Sequence, residues 1–319
     1  MSATDDKNLE KGLAFAFIAA LISGISVFAN GIAVKLADAT VYTFAKNIGA
    51  LLFLAAIVFA LKEWKSFRSL SRRQWLSLIA IGILGGSVPF AMFFYGLKLE
   101  GAAVSSFIFR SLFVFAGVFG YLLLKEKPEA KDTIAALAIL AGNAFLVSGE
   151  AVFGLGQLLV LGATMLWALE YTISRKVMAD IEPKVVMVSR MFFGAMVLFG
   201  FLLATGSVAA LLSVASDPSM ILWLAITSLL LTGFMMSWYS SLKSVPVMKA
   251  ASILALGGIV TAALEFAFLG KSPSGNGAIG LLLISAGAVA MVGIGYFVRA
   301  LEGILIDARR ALFGYDPDG

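Results

Sequence analysis

The stretch GYLLLKEKPEAKDTIAALAILAGNAFLVSG, residues Gly120–Gly149, holds two apolar runs separated by a short charged loop. The first run, ending at Leu124, closes an apolar segment that begins at Gly101. The second, Lys131–Gly149, approaches the ~20 residues that cross a bilayer as helix. Between them Lys125, Glu126, Lys127, Glu129 and Lys131 crowd around Pro128. Charges at that density do not stay in lipid, and proline does not continue a helix.

The rest of the chain repeats this alternation. It has 319 residues, of which 61% are hydrophobic and 13% charged, with a mean hydropathy of +0.98. A soluble domain would carry about a quarter charged residues. Cutting at polar breaks leaves ten spans: Gly12–Leu36, Val41–Leu61, Trp75–Leu97, Gly101–Leu124, Lys131–Gly149, Gly154–Ser174, Lys184–Thr205, Ser219–Leu242, Val247–Gly270 and Gly275–Val298. Continuous rather than alternating apolar character predicts helices, not a β-barrel. The first span follows Lys7 and Lys11 and is too long for a signal-peptide core, so it is read as a retained helix.

With the N-terminus placed inside, most Lys and Arg fall in inner segments, and the outer ends hold only Lys35, Lys98 and Lys271. That bias predicts an inner (plasma) membrane protein with both termini cytoplasmic. It also accounts for the net charge of +5 without nucleic acid. The chain has no cysteine and no histidine. Disulfides, thiolate chemistry, the commonest metal ligand and the commonest general base are thereby removed. No metal or cofactor is expected, and an intramembrane enzyme would have little catalytic equipment.

The two halves echo each other. Gly12-Leu13 recurs as Gly154-Leu155, Trp75-Leu76 as Trp223-Leu224, Pro128 as Pro273 and Gly142 as Gly287, at offsets of 142, 148, 145 and 145. Five spans separate the copies, so the second copy enters the membrane upside down. The predicted organisation is a cytoplasmic tail (1–11), a first five-helix repeat (12–149), an inverted second repeat (150–298) and a cytoplasmic amphipathic tail (299–319). In that last segment Leu301, Ile304, Leu305, Ala308 and Leu312 share one side. Residues Met1–Asn8 are expected to be mobile. Inverted repeats suit alternating access around a midplane site.

This organisation resembles the drug/metabolite transporter superfamily in its EamA-type branch. Gly120–Gly149 looks like that family's helix 4, ending in an acidic residue at Glu126, followed by a glycine-bearing helix 5. The second copy, EFAFLGKSPSGNGAIGLLLISAGAVAMVG (Glu265–Gly293), has Lys271 in place of the acid. A proline frequent in the family's helices 4 and 9 is replaced by Phe113 and Gly258. Aromatic, sparsely charged central spans are most similar to the YddG-type amino-acid exporters. The resemblance implies ten helices around a central cavity, formed by helices 1, 3, 4, 6, 8 and 9.

Five ionisable residues fall inside spans: Lys46, Arg110, Glu170, Arg190 and Glu265. Each needs a partner, water or a nearby interface. By depth, Lys46, Arg110 and Glu265 belong to the outer half, and Glu170 and Arg190 to the inner half. One reading pairs Arg110 or Lys46 with Glu265, and Glu170 with Arg190, as structural or gating bridges. The other lets a charge meet a substrate carboxylate or amine, or carry a proton. Lys46 and Arg190, near span ends, are expected to snorkel. Helical spacing groups Ser23, Ser26 and Asn30 on one face, and Ser106 with Arg110 on another. It likewise groups Trp167, Glu170, Tyr171 and Ser174, and also Met235, Trp238 and Tyr239. These faces are read as cavity-lining, with static helix packing as the alternative. Gly85 and Pro89, within GILGGSVPFAMFFYG, form a candidate hinge.

The expected function is export of small amphipathic metabolites, chiefly amino acids, by a monomeric secondary transporter. Sugar phosphates or lipophilic cations are the alternative cargo. A channel or an intramembrane enzyme is the alternative from another class. The expected partners are a small-molecule substrate and the lipid bilayer.

Overall fold

The computed structural model describes residues 3–146, 154–271 and 277–293, and these are helical with no strand among them. The chain begins with α1 (Ala3–Ala33), a 3-10 turn at Val34–Leu36 and α2 (Ala39–Ala60). The third span is broken into α3 (Arg72–Gly86) and α4 (Val88–Glu100). The fourth is α5 (Ala102–Arg110) and α6 (Leu112–Phe119), continued by a π-helical turn at Gly120–Leu124. Next come α7 (Ala130–Leu146), α8 (Leu155–Val177), α9 (Pro183–Ala204), the short α10 (Ala210–Ser216) and α11 (Pro218–Ser244). The ninth span is broken into α12 (Val247–Leu254) and α13 (Gly257–Leu269), and α14 is Gly277–Val292.

The helix ends follow from local chemistry. Asp38 caps α2 by accepting from the Thr40 and Val41 amides, and Ser71 with Gln74 forms a capping box on α3. Pro183 and Pro218 stand first in α9 and α11, where a missing N–H costs nothing.

Among the described residues eight helical segments are long and apolar enough to cross a membrane, so the chain is a multi-pass membrane protein. They coincide with eight of the ten expected spans. The other two, α7 and α14, are described over 17 and 16 residues and adjoin residues outside the described set. Two expectations are corrected. Helix α1 starts at Ala3, ahead of Gly12 where the first span was expected to begin. No proline or glycine interrupts residues 3–11, and Asp5 and Asp6 suit a helix N-terminus. The stretch around Ser213, expected as loop, carries α10. The amphipathic segment 299–319 lies outside the described residues.

Packing pairs elements from the two halves. α1 lies against α11 and α13, α8 against α4 and α6, α3 against α9, α11 against α2, and α7 against α14. Lipid tails are as apolar as leucine, so helices associate in a membrane through close packing rather than hydrophobic burial. Glycine supplies the closeness. A Cβ at Gly194 would collide with the Gly86 backbone, and one at Gly24 with the carbonyl of Gly257. Gly200, on the same helix as Gly194, faces open space. Gly194→Ala should therefore lower stability by roughly 1–3 kcal/mol through overpacking. Gly200→Ala should cost nothing, and melting of both variants in detergent compares them directly.

Candidate functional site

The site is built around backbone groups that broken helices leave open. Pro89 has no N–H, so the Gly85 carbonyl one turn earlier loses its helical donor. Side chains replace it: Trp167 Nε1 donates to Gly85 O at 3.0 Å and Arg190 Nη2 at 2.9 Å. The neighbouring Gly86 carbonyl accepts from Asn47 Nδ2 at 3.0 Å. The break between α3 and α4 is thus tied to α8, α9 and α2.

Arg190 also binds Glu170, with Nε 3.2 Å from Oε2. The other carboxylate oxygen accepts from the Ser174 hydroxyl at 2.5 Å and from Tyr239 at 2.6 Å. Both charges are buried, Glu170 at 0% exposure and Arg190 at 1%. A buried ion pair offsets its desolvation only when its remaining hydrogen-bonding groups are also satisfied. Here Ser174, Tyr239 and Gly85 O do that. The close approach needs glycine, because a Cβ at Gly85 would stand 2.5 Å from the Glu170 carboxylate.

Arg110 answers a second break. The chain leaves helical bonding between α12 and α13, where Gly258 N bonds to Ala255 O rather than to Leu254 O. Arg110 Nη1 donates to that free Leu254 carbonyl at 2.7 Å and to Ser23 Oγ at 3.1 Å. Its guanidinium lies against Gly257, where a Cβ would come within 2.8 Å of Nη2. Nε and Nη2 are buried without a hydrogen-bond partner.

Next to these groups lies a small cavity of about 60 Å³. It is lined by Ser23, Ser26, Val27 and Asn30 of α1, Lys46 of α2, Phe90, Phe93 and Phe94 of α4, and Phe109 of α5. Trp167 and Tyr171 of α8 and Leu231 and Phe234 of α11 complete it. Drug-sized ligands occupy roughly 300–1,000 Å³, so the cavity as it stands is smaller than such a ligand. Trp167 is its hub, with ring centroids 5.1, 5.2 and 5.4 Å from Phe90, Phe93 and Phe109. The Lys46 ammonium lies 3.8 Å from the centre of the Phe94 ring and 5.2 Å from that of Phe90. Asn30 Oδ1 stands 3.4 Å from it and also accepts from the Tyr42 hydroxyl at 2.5 Å.

Of the expected site residues, Ser23, Asn30, Trp167 and Tyr171 border this cavity directly. Glu170 and Tyr239 belong to the ion-pair network, and Trp238 packs on Tyr171 with centroids 5.0 Å apart. Ser106 sits 3.4 Å from Thr261, across the contact between α5 and α13. Glu170 pairs with Arg190 as expected. The pairing of Arg110 or Lys46 with Glu265 does not form: Glu265 lies 3.5 Å from Lys271, which is 60% exposed. Register explains it. Arg110 is level with Gly257 and Gly258, and Ser106 with Thr261. Glu265, one turn further, moves away from Arg110. Nor do Lys46 and Arg190 snorkel, being 2% and 1% exposed over the shared ring of Phe90. Each lies two turns, about 11 Å, along its helix from the N-terminal end, inside the bundle rather than at its rim. The expected division into outer and inner charges does not separate these two, because both reach the Phe90 ring.

The aromatic wall Phe90, Phe93 and Phe94 escaped the sequence-based site. Its signal was the one-turn spacing in PFAMFFYG, where the proline drew attention instead. Glu126 also has a role outside the cavity. It pairs with Arg175 at 2.7 Å and accepts from Val247 N, while Arg175 Nη1 donates to Leu242 O and Val245 O. This ties the end of α8 to the α11–α12 turn.

Residues 10–148 and, separately, 154–293 match the EamA-like transporter family. An uncharacterised transporter in the cobO 3' region of a Sinorhizobium species is 26% identical over 132 residues, 41% of this chain and 93% of the relative. A crystal structure described only as "Crystal structure of protein" superposes with a TM-score of 0.68 at 17% identity. It covers 90% of this chain and 97% of its own, which is a likeness of fold.

The ion-pair geometry makes a quantitative prediction. Arg190→Met and Glu170→Ala should each destabilise the protein by roughly 3–5 kcal/mol, because each leaves a buried charge unpaired. The combined variant should lose less than the sum. A double-mutant cycle on Arg110 and Glu265 should instead show coupling below about 0.5 kcal/mol. Chemical denaturation in detergent measures both cycles.

Proposed function

The chain belongs to the EamA-like transporter family, and from that premise we propose that it is a secondary transporter exporting small amphipathic metabolites across the plasma membrane. Amino acids, aromatic and apolar ones included, are the cargo this reading favours. The observation that carries it is the aromatic cavity at the meeting of α1, α2, α4, α5, α8 and α11, which combines ring faces with a few polar groups. Such a lining suits a ligand with an apolar body and a charged or polar head.

Alternating access by two inverted repeats is the mechanism proposed. Several features support it. The family matches twice, over segments of nearly equal length. The Sinorhizobium relative has the size of one such segment. Packing of α1 on α11 is mirrored by α8 on α4, as exchange of the two halves requires. The breaks at Ser111 and at Ala255–Leu256 lie 144–145 residues apart, close to the offset of the sequence echoes.

The third span is broken at Ser87, whereas α11, which carries Trp223 of the sequence echo with Trp75, is continuous. The proposed hinge is therefore confined to Gly85–Pro89. Exchange between states would loosen the bonds of Trp167 and Arg190 to Gly85 O. Closure of the loop end would involve the Glu126–Arg175 tie.

Purified protein in liposomes should show saturable, competable flux of phenylalanine and leucine. Absence of saturable flux for every amino acid in a panel would overturn the reading. Pro89→Ala restores a helical donor to Gly85 O, in competition with Trp167 and Arg190. It should slow exchange severalfold without loss of folded protein, as counterflow rates and melting will show.

A further inference from the structure

Three cations and one carboxylate lie buried beside the central cavity: Lys46, Arg110, Arg190 and Glu170. Glu170 neutralises Arg190. Arg110 has no carboxylate among the described residues either, but its guanidinium is turned onto the Leu254 carbonyl, its partnerless Nε and Nη2 lie beside Gly257 and Gly258, and it is not part of the cavity lining. Lys46 is different. Among the described residues no carboxylate pairs with it, and its one oxygen neighbour, Asn30 Oδ1, is 3.4 Å away and already accepts from Tyr42. An ammonium has three N–H donors. The rest of its surroundings are the faces of Phe94 and Phe90. A charge this buried and this poorly paired is strongly disfavoured in a membrane interior unless something supplies the missing counter-charge. Lys46 lines the cavity, together with the hydroxyls of Ser23 and Ser26.

We propose that Lys46 binds the carboxylate of the substrate, and that a carboxylate on an apolar or aromatic body is an obligatory feature of what this cavity accepts. The inference rests on the cavity being the transport site. A carboxylate gives the ammonium charge-assisted hydrogen bonds, which are stronger than its contacts with ring faces. Ser23 and Ser26 can donate to the second carboxylate oxygen. When the ammonium turns to the carboxylate, the faces of Phe90 and Phe94 become available to the substrate's apolar body or its amino group. A substrate bearing only an ammonium would instead add a positive charge beside Lys46 and Arg190, with Glu170 already engaged. A phosphate dianion fits less well, because one ammonium balances only one of its two charges in a lining that is otherwise mostly apolar. Among the described residues no arginine lines the cavity.

The test uses the full chain and three compounds that share one ring: phenylalanine, 3-phenylpropionate and phenethylamine. In thermal-shift titrations of wild-type protein, phenylalanine and 3-phenylpropionate should stabilise and compete with each other, and phenethylamine should do neither. Lys46→Gln should weaken both acids by at least about tenfold, whereas Lys46→Arg should retain them. Stabilisation by phenethylamine equal to that by phenylalanine overturns the proposal. So does wild-type affinity in a folded Lys46→Gln, or an equal shift from chloride or phosphate alone. If Lys46→Gln does not fold, the wild-type series still decides. Liposome flux separates this inference from the one beneath it. Saturable flux of phenethylamine but not of the acids sinks the carboxylate requirement and leaves the transporter standing. Lys46-dependent binding of the acids without saturable flux of any compound does the reverse.

Discussion

In the middle of a membrane every backbone carbonyl needs a donor, and Pro89 removes one from Gly85. Much of the centre follows from that single deficit. Trp167 and Arg190 fill it from α8 and α9, so three spans converge on one oxygen. Bringing Arg190 to this depth requires a counter-ion, which Glu170 supplies from the same helix as Trp167. Glu170 then draws Ser174 and Tyr239. Gly85 must be glycine because the carboxylate presses against it.

The same device recurs at the break between α12 and α13, where Arg110 covers the Leu254 carbonyl. In both places an arginine substitutes for a missing helical N–H, and its charge follows as a consequence. The two sites differ in their balance. Arg190 has an acid, whereas Arg110 rests on a carbonyl, a hydroxyl and glycine backbone. Lys46 has still less, mainly aromatic faces. The cavity between them is therefore positively biased and aromatic, a combination that favours an anionic head on an apolar body.

Much of the architecture was legible in the chain. Length and continuity of the apolar runs located the spans, because a bilayer has one thickness and its helices one rise per residue. The Glu170–Arg190 pair was legible because each charge is costly in lipid and the two lay at compatible depths. Depth alone misled for Arg110. It took the register between α5 and α13 to show that Glu265 lies about two turns beyond the level of Arg110. Depth also misled for Lys46 and Arg190, which looked terminal along their helices but are buried over one shared ring, that of Phe90. The phenylalanine wall was missed because a run of apolar residues inside a span is equally consistent with facing lipid.

The sequence by itself determined that this is a helical, multi-pass membrane protein, that its interior charges are few and need partners, and that Pro89 would leave a carbonyl open. Those conclusions need only hydrophobicity, length and backbone chemistry. Which donor closes that carbonyl, which cations go without an acid, and which rings surround Lys46 were decided by tertiary structure alone. Each depends on the rotation and register of one helix against another. These are set by where glycines allow backbones to meet, information that a one-dimensional pattern of polarity does not carry.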